Sequence, residues 1–323
     1  MAYEKTWSFG SINCGVPSEA YKIQQILLLN IKNILLSSGK WTIYGCCGLN
    51  NGGTLTAPSA LPDTTDRWKV YTDITAPTSN SLNTPLGWCI LYNSTLNLYF
   101  ALGMTYLYNG GYTALFFTQT APTLSATTTW YPTLVSNKIG WSGFNLQSYY
   151  NNAVRYITHY AYTSDGHFIV WNTGDLLANS QLNFIGLLPI APSRSVDATP
   201  WVFIWTSSTT INTDVFSSGS SMCFVPLLSP NTPTNSIFLY PGIWNSSLNI
   251  LDLLYDDIDG NINMFPILIC GTTTNAKTLK GRLQDIYWAP YHLPNGSAMP
   301  STGQIEYMKI GPLMIPANSN IIR

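Results

Sequence analysis

The sequence predicts an all-β protein, a jelly-roll-like β-sandwich with one packed N-terminal helix, formed by residues 1–323 as a single unit. Most apolar segments are short, and turn signals separate them about every 8–15 residues, as in sandwiches and jelly rolls. Several segments are joined by Asn-Gly or Asp-Gly, which suit tight hairpin turns. A subdivision could fall near the proline-rich stretch 189–200, although a long crossover connection explains that stretch equally well.

The helix is predicted over residues 17–37, where Pro17 suits the first turn and Ser18 can cap it. Apolar residues recur there at helical spacing: Ile23, Ile26, Leu27, Ile31, Ile34 and Leu35. Polar residues fall largely on the other side: Lys22, Gln25, Lys32 and Asn33. Gly39 ends the pattern. We therefore expect the helix to bury its apolar face against the β core, with Trp41 helping to seal its end.

The segments next to the helix predict strands and one long connection. Residues 6–9 alternate between polar and apolar side chains and predict a short strand. Residues 41–47 predict a strand directly after the helix. The stretch 48–62 is rich in Gly, Asn and Pro and predicts a surface loop, after which residues 66–70 predict a further strand.

Three hairpins are predicted from the turn residues between apolar segments: 86–92 with 96–102, 104–108 with 112–118, and 156–162 with 167–171. The second half of the chain continues the same pattern. Its predicted strands are 201–206, 222–228, 237–240, 250–255 and 263–270.

Charge is scarce: charged residues make up 9% of the chain, where about 25% is usual for a soluble domain. The net charge of −1 offers no basic surface for nucleic acid. The longest apolar run, 23–36, contains Lys32 and is shorter than the ~20 residues of a membrane span. We expect neither nucleic acid nor a membrane as partner. We also expect no secretory signal, so that the protein starts in a cytoplasm.

The motifs of phosphate-binding loops, histidine metal sites and nucleophile elbows are not found in the sequence. Residues 140–143 approach the elbow pattern, but Phe144 stands where its last glycine would be. The six cysteines (Cys14, Cys46, Cys47, Cys89, Cys223 and Cys270) fit no metal-ligand spacing, and buried free thiols are expected. We therefore predict no catalytic residue, no metal and no cofactor, and a protein that is not an enzyme.

Two polar groups leave alternatives open. His159 and His167 lie on the two arms of one predicted hairpin and could form a pair, although structural roles are commoner for strand histidines. An acidic cluster is formed by Asp252, Asp256, Asp257 and Asp259. Asp-Gly-Asn within it is ordinary turn chemistry, while a bound cation or a pair of glycosidase carboxylates are the alternatives.

Both ends of the chain resemble a group of little-characterised virion structural proteins of tailed bacteriophages. The first end carries Tyr3-Glu4-Lys5-Thr6-Trp7. The other carries Gly281-Arg282-Leu283-Gln284-Asp285-Ile286-Tyr287-Trp288, then Gly296 and a segment from Ile310 to Pro316. Asp66-Arg67-Trp68 is similar to an Asp-Arg-Trp that follows the first long loop in that group. The Thr- and Asn-rich centre departs from the pattern.

The resemblance implies a place in a virion (capsid decoration, neck, tail or baseplate) and assembly with copies of itself and other virion proteins, after synthesis in the host cytoplasm. It implies no catalytic residues. The alternative is a receptor-binding or glycan-degrading tail protein, whose partner would be a host-surface glycan. Its aromatic side chains, which include 11 tryptophans and 20 tyrosines, could stack on sugar rings.

Overall fold

The computed structural model is mainly β. It describes residues 7–13, 20–49, 55–68, 84–106, 112–118, 121–124, 141–145, 156–174, 183–192, 201–206, 222–225, 237–240, 265–273, 276–288, 298–300, 306–310 and 313–317. The described residues hold one helix and eighteen strands, in the order β1 (Trp7–Asn13), α1 (Ala20–Ser37), β2 (Thr42–Leu49), β3 (Leu55–Thr56), β4 (Thr84–Asn93), β5 (Leu98–Tyr106), β6 (Tyr112–Thr118), β7 (Trp141–Asn145), β8 (Tyr156–Thr163), β9 (Phe168–Gly174), β10 (Asn183–Pro192), β11 (Trp201–Thr206), β12 (Met222–Val225), β13 (Ile237–Tyr240), β14 (Phe265–Thr273), β15 (Ala276–Trp288), β16 (Ala298–Pro300), β17 (Glu306–Ile310) and β18 (Leu313–Ala317).

The chain forms two compact units. The first comprises Met1–Gly10, His159–Trp171 and Gln181–Arg323, and the second comprises Ser11–Thr158 and Asn172–Ser180. Residues 189–200, the predicted point of subdivision, lie inside the first unit.

The second unit contains a six-stranded antiparallel sheet in the order β3-β2-β4-β5-β6-β7. Apart from β3, the strands lie side by side in the order in which they occur along the chain. One long strand, β5, pairs with β4 on one side and β6 on the other. The sequence analysis predicted two separate strands here, 96–102 and 104–108; Gly103, which lies between them, is paired with both neighbouring strands.

Helix α1 lies in the same unit and ends as predicted. Gly39 has a φ of 67°, which glycine adopts without a steric penalty, and its N–H donates to the Leu36 carbonyl at 3.0 Å. The predicted apolar face is buried where its side chains are described: Ile31 and Leu35 are fully buried and Ile34 is nearly so. The side chains of residues 20–27, including Leu27 and Gln25, lie outside the described part. Trp41 follows the helix, is buried, and makes an edge-to-face contact with Phe100.

The hairpin from β4 to β5 confirms its prediction. The Asn93 side chain, fully buried, accepts a hydrogen bond from the Leu96 N–H at 3.0 Å and so closes the turn. Asn97 takes the left-handed conformation there with a φ of 48°. Residues 48–62, by contrast, are not wholly loop, because Leu55 and Thr56 pair with Leu49 and Gly48 as β3.

The larger sheet has twelve strands, with the main order β12-β11-β10-β9-β8-β1-β18-β15-β14-β13. Because β10 also pairs with β15, the strands β10, β9, β8, β1, β18 and β15 form a closed circuit of neighbours. Strand β1 joins β18 in parallel, with Trp7 opposite Ala317. The β8–β9 hairpin, β11 and β13 occur where the sequence predicts them, whereas β10, β15, β16 and β17 of this sheet, and β7 of the smaller sheet, were not predicted as strands. Residues 250–255 lie outside the described part.

Candidate functional site

Lys32 is the centre of a polar cluster beneath α1. Its side chain is fully buried, and its ammonium group lies 2.7 and 2.8 Å from the two Asp66 carboxylate oxygens. It also donates to the Trp68 carbonyl. Three acceptors therefore meet the three donors of the ammonium group, which is what makes burial of a lysine tolerable.

The prediction that Lys32 lies on the polar side of the helix is wrong. Lys32 follows Leu28 by four residues and precedes Leu35 by three, so helical spacing itself puts it inside the apolar stripe. The wrong prediction rests on the polarity of the lysine side chain and not on its spacing. The spacing was the signal that could have found this buried charge. Asn33, also predicted on the polar side, is exposed as expected.

The segment Asp66–Trp68 supplies the partners of Lys32. A strand was predicted over 66–70, but Asp66–Trp68 is not in a strand, and residues 69 and 70 lie outside the described part. The Asp66 carboxylate accepts the Trp68 N–H at 3.1 Å, which folds the backbone back on itself instead of leaving it free to pair with a strand. Trp68 is buried. The connection passes close to β2, because the Asp63 N–H donates to the Tyr44 carbonyl at 2.9 Å.

Two glycines of β2 make room for this connection. A Cβ atom at Gly48 would collide with the Arg67 carbonyl group, which is backbone. A Cβ atom at Gly45 would collide with the Leu61 side chain. Leu61 packs on one face of the sheet, beside Trp88, while Asp66 reaches the helix on the other face. The connection therefore wraps around the edge of the sheet next to β2.

Cys46 and Cys89 complete the polar cluster. They lie directly opposite each other on β2 and β4, and both are fully buried. Cys46 Sγ lies 3.7 Å from Asp66 Oδ1. The hydrogen bond from Cys89, followed by the charge of Lys32, lowers the pKa of Cys46 in spite of its burial. Burial and the bond to Cys46 raise the pKa of Cys89 well above its usual value.

Cys47 points to the opposite face of the sheet, as predicted for adjacent residues of a strand. It is buried against Trp88, Ile90 and Ala101. Burial there, followed by the neighbouring Cys46 thiol, raises its pKa to about 12, although the charge of Arg67 acts in the opposite direction. The predicted free, buried thiols are therefore confirmed for Cys46, Cys47 and Cys89.

A tyrosine face, formed by Tyr44, Tyr92 and Tyr99, lies on the side of the sheet opposite the helix. Tyr99 stacks on Tyr92 with ring centres 4.5 Å apart and meets Tyr44 edge to face at 4.8 Å. All three side chains are half-buried. Partial burial, followed by the two neighbouring tyrosines, raises the pKa of Tyr99. The tyrosine face is thus a rigid aromatic surface that still reaches solvent.

In the other unit, the β8–β9 turn holds an Asp–His pair. His167 is buried, and its Nδ1 lies 2.9 Å from Asp165 Oδ1, which also accepts a hydrogen bond from the Thr163 hydroxyl. The Thr163 hydroxyl in turn accepts the His167 N–H at 3.0 Å. These bonds close the turn on Gly166, whose φ is 98°. The hydrogen bonds among Thr163, Asp165 and His167 are thus sufficient to stabilise the turn, and no bound ligand is needed to account for the Asp–His pair.

The hypothesis of a His159–His167 pair fails on geometry. The Thr163 N–H donates to the His167 carbonyl at 2.9 Å, so these two residues face each other across the turn. His159 lies four residues further along β8, which is about 13 Å of strand. Burial alone lowers the pKa of His159 and favours its neutral form.

The acidic cluster Asp252, Asp256, Asp257 and Asp259 lies outside the described residues. Within the described ranges, no group of three or more His, Cys, Asp or Glu side chains could hold a metal ion. The described helix is not long and apolar enough to cross a membrane. A comparison with protein-family models gave no match, and a comparison with curated proteins gave none either.

Proposed function

We propose that this protein is a structural component of a tailed-phage virion, in the capsid decoration, neck, tail or baseplate, that acts by assembling with copies of itself and with other virion proteins. The resemblance at both ends of the chain and the 9% of charged residues support this function. Few charges mean little repulsion between neighbouring copies. The proposal includes a jelly-roll-like arrangement of the sheets, a location in the virion and the absence of enzymatic activity.

The tyrosine face is the observation that carries the proposal. Tyrosines are enriched at the centres of protein interfaces, because each offers a large apolar ring and a hydroxyl group at a small entropic cost. Tyr92 and Tyr99 already hold each other by stacking, so little side-chain freedom remains to be lost on binding. The Tyr92 hydroxyl donates to the Asn97 side chain at 3.3 Å, which fixes the outer ring further.

The test is the assembly state of the full chain, measured by sedimentation over a wide concentration range. We expect oligomers whose dissociation constant rises by at least tenfold in Tyr99→Ser or Tyr92→Ser. Tyr162→Ser is the matched control, because Tyr162 also stacks on another tyrosine, Tyr160, but lies in the other unit. A chain that stays monomeric at high concentration, and that mass spectrometry does not find in purified virions, contradicts the proposal.

A second candidate function is recognition of a host-surface glycan by a tail protein, and the same tyrosine face favours it. Aromatic rings that are held rigidly and reach solvent can stack on sugar rings. A glycan array detects binding, and release of reducing ends from host polysaccharide detects hydrolysis. Glycan binding that is lost in Tyr99→Ser would support this function. If neither assay gives a signal, the structural role in assembly is the only one of the two functions that remains.

A further inference from the structure

Cys46 and Cys89 are placed so that they could be joined covalently without movement of the backbone. They are directly opposite partners in the antiparallel pair β2–β4. Residues in that relationship have Cα atoms about 4.5–5.5 Å apart, which lies within the range of about 4.4–6.8 Å found for disulfides. Their sulfur atoms are already in hydrogen-bond contact.

The surroundings give the two thiols different roles. Cys46 is the one with a lowered pKa, owing to the hydrogen bond from Cys89 and to the Lys32 ammonium group. Because the thiolate is the nucleophilic form, Cys46 is the thiol expected to react first. Cys89 keeps its proton, since burial raises its pKa, and is held ready beside Cys46.

A small solute can approach the pair through Asp66. Cys46 itself has no exposed surface, but the Asp66 side chain is 25% exposed and lies 3.7 Å from Cys46 Sγ. The sulfur atom is therefore in contact with a side chain that itself reaches solvent. A molecule as small as hydrogen peroxide needs only a local displacement of the connection around Asp66.

We propose that Cys46 and Cys89 are a peroxide-sensitive site at which Cys46 is oxidised and Cys89 then closes a cross-strand disulfide. In the first step the Cys46 thiolate attacks one peroxide oxygen, the O–O bond breaks, and hydroxide leaves and takes up a proton to become water. In the second step the Cys89 sulfur attacks the Cys46 sulfenic acid, the S–O bond breaks, and a second water leaves. The two thiols lose two electrons and two protons in total, and the peroxide is reduced to two waters. This inference is independent of the proposed function.

The test is oxidation of the full-length protein with hydrogen peroxide, followed by alkylation of the remaining thiols in denaturant, and mass spectrometry. We expect Cys89 to be protected from alkylation, and the peptide that carries Cys89 to be joined to the peptide that carries Cys46. Dithiothreitol should separate the two peptides and restore both thiols. Cys46 and Cys47 are adjacent and remain together in tryptic fragments, so variants must separate them.

Three variants make the assignment. Cys46→Ser should abolish the joined fragment, and Cys89→Ser should leave a sulfenic acid on Cys46 that dimedone traps. Cys47→Ser is the matched control and should form the joined fragment at the wild-type rate, because Cys47 faces the other side of the sheet. Full alkylation of Cys46 and Cys89 after peroxide treatment of the wild type, or loss of the joined fragment in Cys47→Ser, overturns the proposal.

Discussion

Leu61 occupies the space that a side chain at Gly45 would need. The two residues lie on separate segments, the connection after β3 and strand β2, and the absence of a Cβ atom at position 45 lets the segments meet. Gly48 does the same for the Arg67 carbonyl group. The neighbouring group is thus a flexible side-chain end at position 45 and a rigid backbone group at position 48.

Gly48→Ala should destabilise the protein more than Gly45→Ala. At position 48 the new methyl group meets backbone, which must move, whereas at position 45 the Leu61 side chain can rotate away. Overpacking of this kind costs about 1–3 kcal/mol. Urea denaturation measures both variants. Leu61→Ala added to Gly45→Ala should restore part of the lost stability, and no such rescue is expected for Gly48→Ala.

Asp66→Ala should destabilise the protein by roughly 3–5 kcal/mol, because it leaves the Lys32 ammonium group buried without its charged partner. Lys32→Met should cost less, since the Asp66 carboxylate is 25% exposed and can bind water instead. The double variant should therefore be more stable than Asp66→Ala alone. Lys40→Met, at an exposed lysine after the same helix, is the control and should change the unfolding free energy by less than ~0.5 kcal/mol. The opposite order of the two single variants would contradict this account.

Leu35→Ala and Ile31→Ala should each cost about 2–5 kcal/mol, because both side chains are fully buried between α1 and the sheet. Asn33→Ala, on the exposed side of the same helix, should cost less than ~0.5 kcal/mol. Thermal unfolding of the purified protein checks the three variants. If all three are equally mild, the helix is not held by this sheet and instead docks onto a neighbouring copy. The same comparison applies at the start of the helix, where Leu27→Ala should destabilise the protein and Gln25→Ala should have little effect.

Asp63 should make the stability depend on pH in acid. The hydrogen bond from Arg67, followed by those from Thr65, holds the pKa of Asp63 well below its ordinary range. A carboxyl group whose pKa is lower in the folded state stabilises that state above its unfolded pKa of about 3.9, and the contribution is lost as the pH falls towards the folded value. The difference in urea midpoint between wild type and Asp63→Asn should thus be present at neutral pH and shrink below about pH 4.

A control for this prediction is Arg67→Gln, which removes the other partner of the 2.7 Å ion pair. It should reproduce the loss at neutral pH, and its effect should not add to that of Asp63→Asn. High salt should reduce both effects, because the pair is partly exposed and screened by ions. If the difference in urea midpoint between wild type and Asp63→Asn stays constant down to strong acid, the ionisation of Asp63 is not the cause of the pH dependence.

Features set by local residues could be predicted from the sequence. Gly39 ends the helix, Asn93 closes a turn through its own neighbours, and β13 has the predicted limits, because each depends on a few adjacent residues. The partners of Lys32 could not be predicted. Asp66 and Trp68 are 34 and 36 residues away, and nothing in their own surroundings indicates that they meet a helix.

The strand predicted over 66–70 is wrong at Asp66–Trp68 for the same reason. In the structure Asp66 forms an ion pair with Lys32 of the helix and Trp68 is buried, and neither role can be read from the neighbouring residues. Tyr92 and Tyr99 lie opposite each other in the predicted β4–β5 hairpin, and only the register of that hairpin shows that they stack. The sequence alone therefore could not predict contacts between residues far apart along the chain, or contacts that depend on the register of paired strands.

The parallel pairing of β1 with β18 has a consequence for the order of events during synthesis. Trp7 lies opposite Ala317, so β1 leaves the ribosome long before its neighbour exists. Helix α1 and the sheet from β2 to β7 can form from segments made in succession. The closed circuit of strands that contains β1 cannot form until β18 has been synthesised. Pairings this distant along the chain form slowly, because a very long loop must first close. For most of translation, the fully buried Trp7 side chain has no finished sheet to cover it.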